Sequence, residues 1–314
     1  MNKLVVLLAG GLSEEREISL ATSEAVHTAL LELGYEVEVV DPQNFSSWLS
    51  LGGYLKEAKP YIVFNGLHGG IGENGTIQAF LDMIKLPYTG SGYKASAVTM
   101  DKIMSFRIAS SLGVKVAPYV VLDKPQADNK QIFTPEGVTI QSVVRSEGGV
   151  IKPNDSGSSY GVTITEDESQ IESALNKAYQ YSDKVIFQKF IKGSELTVSI
   201  LGTKALPVVE IKANDGWYDY THKYTKGKTE YIVPANIPVA TAQQLQQTSE
   251  MLFKEFGCQG YARVDFRVDE QGNIFVLEIN ANPCIAPDSG FVAAAQQAGI
   301  SHEQLIDRIV KDLA

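Results

Sequence analysis

The chain has 314 residues, of which 44% are hydrophobic and 20% are charged, and its formal net charge is −10. This length exceeds what a single core normally fills, so we expect two or three domains. The acidic balance argues against a dedicated nucleic-acid-binding protein, which would carry a basic stripe. No apolar stretch is long enough to span a membrane, and the first residues lack a signal-peptide pattern. We therefore expect a cytoplasmic α/β protein that acts on small molecules.

The two cysteines show neither metal-type spacing nor a disulfide framework. Strand and helix patterns alternate over the first 65 residues. The predicted order is strand 3–8, a helix to about residue 33, strand 35–40, a helix around 45–56 and strand 61–65. This β-α-β-α-β order indicates a parallel sheet with helices on both faces. Ligands of such sheets bind at the carboxyl ends of the strands, where Gly10, Gly11 and the glycines of 66–75 lie.

The first strand-to-helix turn carries the acidic run Ser13-Glu14-Glu15-Arg16-Glu17. Ser13 fits a helix N-cap, and acidic residues in the first helical turn complement the helix dipole. A carboxylate at this place is also suited to bind the ammonium group of a substrate. Glu15 is therefore a candidate for either role.

The segment 65–75 contains Gly70-x-Gly72-x-x-Gly75, which matches the dinucleotide-binding fingerprint. It follows the third strand rather than the first, and no acidic residue ends a strand about twenty residues later to hold a ribose. We interpret it as a glycine loop that presents His68 to a site. A nicotinamide-dependent oxidoreductase remains open as an alternative.

Beyond residue 92 the pattern changes to a helix over 100–112 and then a strand-rich region with helices at 170–181 and 241–256. In that region, a strand ending at Lys152 leads into a loop of Gly and Ser, whose N–H groups and hydroxyls can surround an anion. Lys152 would supply a point charge for a phosphate. The sequence contains no Walker A pattern, so this is not a P-loop nucleotidase. The polar, aromatic segment 217–224 is typical of an active-site lid.

Near the end of the chain, two strand patterns carry three oxygen ligands. Asp265 lies on the first strand, and Glu278 and Asn280 lie on the second, with a polar hairpin segment between them. Side chains alternate along a strand, so these ligands can share one face together with Arg263. Mg²⁺ binds to one or two carboxylates and keeps positions open for phosphate oxygens. The arrangement predicts ATP-dependent chemistry.

Together these motifs resemble the ATP-grasp superfamily and, within it, the D-alanine–D-alanine ligase family. The resemblance covers nearly the whole chain, through segments 10–19, 68–75, 86–92, 100–102, 152–161, 218–224, 263–265 and 278–280. It implies an ATP-grasp fold, of α/β and α+β class. The implied parts are an N-terminal substrate domain (1–93), a central subdomain with the phosphate-gripping loop (94–188) and a C-terminal subdomain with the metal site and lid (189–314).

The same resemblance implies an ATP-dependent ligase that joins two D-alanines through an acyl phosphate, for peptidoglycan precursor synthesis. The catalytic residues it implies are Glu15, Ser158, Tyr224 and Arg263. The amino-acid substrates would contact Glu15, His68, Lys223, Cys284 and Ser289. ATP would contact Lys102, Lys152, Ser158, Lys189, Phe190, Ile191 and Glu195. Two Mg²⁺ ions, which Mn²⁺ can replace, would be held by Asp265, Glu278 and Asn280, in a homodimeric enzyme.

The run 280–290 departs from the family's pattern. Cys284 stands where the family usually has a glycine, whose backbone N–H helps to form an oxyanion hole and whose missing side chain leaves room. Pro287 and Asp288 also depart, next to Ser289. A carboxylate there would repel the carboxylate of an incoming amino acid unless it is turned away or paired. An ATP-grasp ligase for a different amino acid or amine pair therefore remains open.

Overall fold

The N-terminal part of the chain forms a parallel sheet flanked by helices. The computed structural model describes residues 3–124, 132–133, 148–213 and 228–311. Its first elements are β1 (Leu4–Leu8), α1 (Arg16–Glu32), β2 (Glu36–Val40), α2 (Trp48–Ala58), β3 (Ile62–Asn65), α3 (Gly70–Glu73), α4 (Thr76–Ile84), α5 (Tyr93–Met100) and α6 (Lys102–Ser111). The strand order is β2-β1-β3 and both pairings are parallel. The predicted β-α-β-α-β order is confirmed.

The helix predicted over 100–112 is observed as α6, but its predicted start is two residues too early, because Asp101 separates α6 from α5. The backbone of Asp101 is extended, and its side chain accepts a hydrogen bond of 2.9 Å from the N–H of Met104. It is therefore the N-cap of α6 and ends α5. The sequence analysis missed α5, whose buried residues include the small Ala95, Ser96 and Thr99. Small, partly polar side chains on the buried face give little periodic signal.

A second sheet is antiparallel and has the order β5-β4-β8-β6-β7. Its elements are β4 (Tyr119–Asp123), β5 (Ile132–Phe133), β6 (Gly149–Pro153), β7 (Thr163–Thr165), α7 (Ile171–Ala178) and β8 (Lys184–Lys189). The helix predicted at 170–181 is observed as α7, which begins one residue later, after a 3₁₀ turn (Glu168–Gln170), and ends three residues earlier, at Ala178.

The third sheet has the order β12-β11-β9-β13-β14, with β10 paired to β9, and all its pairings are antiparallel. Its elements are β9 (Ser194–Leu201), β10 (Lys204–Ala205), β11 (Val209–Ala213), β12 (Thr229–Ile232), α8 (Val239–Glu255), β13 (Tyr261–Val268) and β14 (Ile274–Asn280), followed by α9 (Gly290–Gln297) and α10 (His302–Lys311). The predicted hairpin of β13 and β14 is confirmed.

The three sheets share cores across the chain. Apolar residues of β1, α1 and β3 pack in one cluster with residues of α9 and α10. The helix α6 contributes Ala109 to the core of the third sheet and Phe106 to a cluster with Val121 and Ile186 of the second sheet. Both contacts place α6 between the two antiparallel sheets. The domain limits 1–93, 94–188 and 189–314 remain predictions.

In the described part of the chain, no helix combines the length and apolar character that crossing a bilayer requires.

Candidate active site

A cavity of about 550 Å³ is lined by the start of α1, the loop after β6 and the β13–β14 hairpin. Most of the predicted site residues that the structure describes lie on its walls: Glu15, His68, Lys102, Ser158, Arg263, Asp265, Glu278, Asn280, Cys284 and Ser289. The fold therefore brings together side chains from both ends of the sequence.

The predicted metal ligands lie on paired strands. Asp265 is directly opposite Glu278, and Arg263 is directly opposite Asn280. Since residues two apart on a strand point to the same face, all four side chains share one face of the hairpin. All four also line the cavity. The expected placement is observed, and the role of these residues as metal ligands remains a prediction.

Arg263 and Thr197 hold the carboxylate of Asp265 in place. Nε of Arg263 donates to the two oxygens of Asp265 at 2.9 and 3.2 Å, and Nη2 donates to Oδ2 at 2.9 Å. Oγ1 of Thr197 donates to Oδ1 at 2.5 Å. Hydrogen bonds between charged groups are short and strong, so they fix this buried carboxylate. Thr197 was missed by the sequence analysis, because its pairing opposite Asp265 depends on the register of β9 and β13.

Two buried lysines lie near these carboxylates. Nζ of Lys102 donates to the backbone oxygen of Ser156 at 2.7 Å and lies 4.0 Å from Oε2 of Glu278. Burial, and secondly repulsion from Lys102, lowers the pKa of Lys152 to about 7, against the attraction of nearby carboxylates. An anion placed beside such an ammonium favours its charged form.

The oxygen atoms on this face suit a hard divalent cation. Asp265 and Glu278 offer carboxylates and Asn280 offers an amide oxygen, which accepts a hydrogen bond of 2.9 Å from the N–H of Asn282. That bond orients the amide and leaves one lone pair of Oδ1 for a ligand. Oxygen-only donors with two carboxylates fit Mg²⁺.

Asn282 connects the metal-ligand strand to the loop that carries His68, a link that the sequence analysis missed. The hydroxyl of Tyr261 donates to Oδ1 of Asn282 at 2.6 Å. Nδ2 of Asn282 donates to the backbone oxygen of Leu67 at 2.9 Å. All of these groups are buried. The bonds therefore fix two walls of the cavity relative to each other.

Glu15 faces the loop after β6. Oγ of Ser158 donates to Oε2 of Glu15 at 2.5 Å. The loop approaches so closely that a Cβ atom at Gly157 would lie 2.6 Å from Oε1 of Glu15. Ser158 has a φ of 47°, which residues with a side chain rarely adopt. The contact therefore depends on an unusual backbone conformation.

The prediction that Ser13 is the N-cap of α1 is wrong, because Glu15 is at that position. The side chain of Glu15 makes no capping hydrogen bond. Oγ of Ser13 instead donates to the backbone oxygen of His68 at 2.5 Å and accepts from the N–H of Glu15 at 3.2 Å. Ser13 thus joins the loop after β1 to the loop after β3. The carboxylate of Glu15 is turned toward the cavity.

His68 pairs with Glu73, a residue that the sequence analysis did not single out. Nδ1 of His68 lies 3.3 Å from Oε1 of Glu73, which is on α3. Both side chains line the cavity. Nε2 of His68 is buried and has no hydrogen-bond partner in the described structure. The signal for Glu73 was its place at the end of the glycine-rich segment.

The side chain of Cys284 has the room that it needs, because it is turned toward α1. Its Sγ lies 3.4 Å from Oγ1 of Thr22. Burial raises the pKa of this thiol. Ser289 is the N-cap of α9, and its Oγ accepts from the N–H of Val292 at 3.3 Å. Asp288 is exposed on the cavity wall, without a hydrogen bond or ion pair in the part of the chain that is described.

The predicted adenine and ribose residues do not line this cavity: Lys189, Phe190, Ile191 and Glu195. They lie where the chain passes from the second sheet to the third. Arg267 organises this crossing, with its guanidinium carbon 5.3 Å from the centroid of the Phe190 ring. Its Nη2 donates to Oε2 of Glu195 at 2.9 Å. Arg267 was missed, although it continues the alternation of Arg263 and Asp265 on β13.

The predicted lid at 217–224, with Lys223 and Tyr224, lies outside the described residues.

Known proteins match over the whole chain. The family model described as "D-ala D-ala ligase C-terminus" matches residues 108–311, and the one described as "D-ala D-ala ligase N-terminus" matches residues 52–91. A D-alanine–D-alanine ligase from Pelotomaculum thermopropionicum is 38% identical over 99% of this chain and 96% of its own length. One from Syntrophotalea carbinolica is 35% identical over 98% of this chain and 95% of its own length.

Solved structures of D-alanine–D-alanine ligases are also similar to this chain. The D-alanine–D-alanine ligase from Bacillus anthracis complexed with ATP has a TM-score of 0.83 and 26% identity, covering 99% of this chain and 97% of that one. A further structure of the same organism's ligase has a TM-score of 0.83 and 28% identity, covering 98% and 96%. The α/β and α+β architecture is thus an ATP-grasp fold. Since the C-terminal family model alone matches well over half of the residues, the chain belongs to the D-alanine–D-alanine ligase family.

Proposed function

We propose that this chain is an ATP-dependent ligase that joins two D-alanines through an acyl phosphate, for the synthesis of peptidoglycan precursors. Its membership of the ligase family supports this activity, as does the likeness to a family member complexed with ATP. The observation that carries the proposal is one cavity with Asp265, Glu278 and Arg263 on one wall and Glu15 on another. Phosphate chemistry and an amino acid can therefore meet in it.

The chemistry explains why ATP is required. A carboxylate does not react with an amine, because oxide is too poor a leaving group. Transfer of the γ-phosphoryl group to the carboxylate of the first D-alanine gives an acyl phosphate and ADP. The amine of the second D-alanine then attacks the acyl carbon, and inorganic phosphate leaves from a tetrahedral oxyanion. The C–N bond forms when the amine adds, and the C–O bond to phosphate breaks when the tetrahedral oxyanion collapses.

Cationic groups would act at the phosphate end. Lys102 and Lys152 would hold phosphates, and Mg²⁺, which the three oxygen ligands on β13 and β14 would hold, would supply charge neutralisation there. The Arg263 guanidinium, fixed by Asp265, would stabilise the acyl phosphate and then the oxyanion. Removing one such donor typically costs roughly 100- to 1,000-fold in rate. Cys284 would contribute only its backbone N–H to the oxyanion hole.

Glu15 would bind the ammonium group of the first amino acid, with His68 beside it. Ser158 and Tyr224 would close this end, because an acyl phosphate hydrolyses readily if water enters. Lys223 and Ser289 would hold the carboxylate of the second amino acid. At the crossing between the antiparallel sheets, residues 189–191 would line the adenine pocket, and Glu195 would take the ribose hydroxyls.

A ligase for a different second amino acid or amine is the other candidate. The carboxylate of Asp288 favours it, because it lies on the cavity wall next to Ser289 and has no ion pair among the described residues. Membership of the ligase family leaves the nicotinamide-dependent alternative without support. A homodimer, a cytoplasmic location and the use of Mn²⁺ in place of Mg²⁺ are further proposals, which rest on the family resemblance.

Phosphate release from ATP and Mg²⁺ tests the proposal directly. D- and L-amino acids are supplied singly and in pairs, and products are identified by mass. Release with D-alanine alone, giving the dipeptide, is the expected result. Release only with another pair would assign the changed specificity to 283–290, and no release with any pair would contradict the ligase activity. Reactions without an amino acid measure background ATP hydrolysis.

A further inference from the structure

Three titratable side chains converge at the wall of the cavity: Glu15 at the start of α1, and His68 and Glu73 from the segment after β3. Each offers one ligand atom, and these atoms all lie within 4.8 Å of one another. The three residues are 5%, 5% and 9% exposed, respectively. A cation placed among these atoms would be attracted by both carboxylates.

His68 is prepared to bind an ion. Nδ1 lies 3.3 Å from Oε1 of Glu73. With the ring proton on Nδ1 and donated to Glu73, the lone pair of Nε2 is free, and Nε2 is buried without a partner in the described structure. Histidines that bind metals characteristically donate their other ring N–H to a carboxylate in this way, which fixes the tautomer. Nε2 is thus available to bind a metal ion.

The space at Glu15 is narrow. A Cβ atom at Gly69 would lie 3.0 Å from Oε1 of Glu15, and one at Gly157 would lie 2.6 Å from the same oxygen. Both glycine loops therefore approach the carboxylate of Glu15 closely. Imidazole with carboxylates suits Zn²⁺ and similar transition metals, whereas Mg²⁺ prefers oxygen donors alone. The donor atoms at Glu15 and His68 therefore suit a different metal from those of the site on β13 and β14.

We propose that Glu15 and His68 bind a Zn²⁺-type transition-metal ion, with Glu73 orienting the imidazole through Nδ1, at a site distinct from the Mg²⁺ site on β13 and β14. Glu15 is the residue assigned to the ammonium group of the first amino acid. The bound ion therefore excludes that amino acid and inhibits the enzyme without displacing ATP. This competition rests on the proposed function, and metal binding itself does not.

Binding is measured by equilibrium dialysis of the full chain against Zn²⁺, without ATP or Mg²⁺. The Asp265→Asn/Glu278→Gln variant serves as background, so that the hairpin site does not contribute. It should bind one equivalent of Zn²⁺, and a further His68→Gln change should abolish that binding. Glu73→Gln should weaken it by roughly 10- to 100-fold. His27→Gln, which changes a histidine on α1, is the matched control and should bind as much Zn²⁺ as the background variant does.

Circular dichroism establishes that each variant is folded, and Glu73→Gln provides a second test if His68→Gln does not fold. The proposed site would be contradicted if folded His68→Gln still bound one full equivalent of Zn²⁺, or if Glu73→Gln bound Zn²⁺ with unchanged affinity. Absence of bound Zn²⁺ in the background variant would contradict it as well.

Competition is measured as displacement of Zn²⁺ from the same background by D-alanine. L-Alanine is the control, because the two enantiomers chelate free Zn²⁺ equally. Greater displacement by D-alanine supports the competition, and equal displacement contradicts it. In the second case the phosphate-release assay separates the causes: turnover of D-alanine by the unsubstituted protein places the failure in the competition, and no turnover places it in the proposed function.

Discussion

The hydroxyl of Ser158 donates a hydrogen bond of 2.5 Å to the carboxylate of Glu15, which joins the loop after β6 to the start of α1. The hydroxyl of Tyr160 adds a second link by donating to the backbone oxygen of Glu14 at 3.2 Å. The loop that carries the predicted phosphate contacts is thereby tied to the predicted site of the first amino acid. ATP and the amino acid are thus expected to order the same loop.

Glu15→Gln is expected to raise the KM for the first amino acid by roughly 10- to 100-fold, with little change for ATP. A hydrogen bond to a charged group contributes about 1.5–3 kcal/mol, and the neutral amide loses the attraction to an ammonium. Steady-state kinetics with each substrate varied in turn measure the effect. Glu14→Gln, an exposed neighbour, is the matched control. An unchanged KM for the first amino acid would show that Glu15 does not bind it and has only a structural role at the start of α1.

Asp265→Asn and Glu278→Gln should each abolish ATP turnover while the fold is retained. Both changes are nearly isosteric but remove a charge from the predicted Mg²⁺ site. Phosphate release gives the activity, and thermal unfolding shows whether the protein is folded. Glu270→Gln, in the exposed hairpin turn, should behave as the unsubstituted protein does. Near-normal rates in either of the first two variants would refute the metal assignment.

Lys152 is expected to make stability rise with pH between about 7 and 10.5. Burial lowers the pKa of Lys152 to about 7, from an ordinary value of 10.5. Between these values the unfolded chain binds the proton that the folded chain has lost, so the free energy of unfolding increases with pH. Urea unfolding at pH 7 and pH 9 measures this rise. It should be smaller in Lys152→Met, and an equal rise in both proteins would contradict the lowered pKa.

The same shift predicts that ATP binding weakens as pH rises from 7 to 9. Phosphate favours the charged form of Lys152, so binding above pH 7 must take up a proton. Titration calorimetry in buffers of different ionisation enthalpy measures that uptake. Lys152→Arg is the informative variant, because its guanidinium stays charged over this range. Its proton uptake at pH 8 should be smaller, and an unchanged uptake would exclude Lys152 as the source.

Cys284→Gly should keep kcat/KM for the second amino acid within about tenfold. The proposed oxyanion contact is the backbone N–H, and the Sγ atom is turned toward Thr22. Cys284→Val should cost more, because a branched side chain overpacks the contact with α1 and typically costs 1–3 kcal/mol. Initial rates at varied concentrations of the second amino acid give kcat/KM for both variants. A loss greater than 100-fold in Cys284→Gly would show that the thiol itself takes part.

The sequence by itself determined the features that depend on local periodicity. The parallel order of the first three strands follows from the alternation of strand and helix segments, and the shared face of Asp265, Glu278 and Asn280 follows from two-residue spacing on a hairpin. These signals are local, because side chains alternate along any strand. The family resemblance then supplied the expected roles, including those of residues 223 and 224, which lie outside the described part of the chain.

Tertiary structure decided which distant groups meet. Ser158 meets Glu15 across 143 positions, and Asn282 meets Leu67 across 215. No spacing rule encodes such pairs, because they depend on how separate cores pack and how closely their glycine loops approach. Burial depends on the same packing. It lowers the pKa of Lys152, and it leaves Nε2 of His68 without a hydrogen-bond partner among the described residues. The residue types were visible in the sequence, but their protonation and pairing depend on the environment that folding creates.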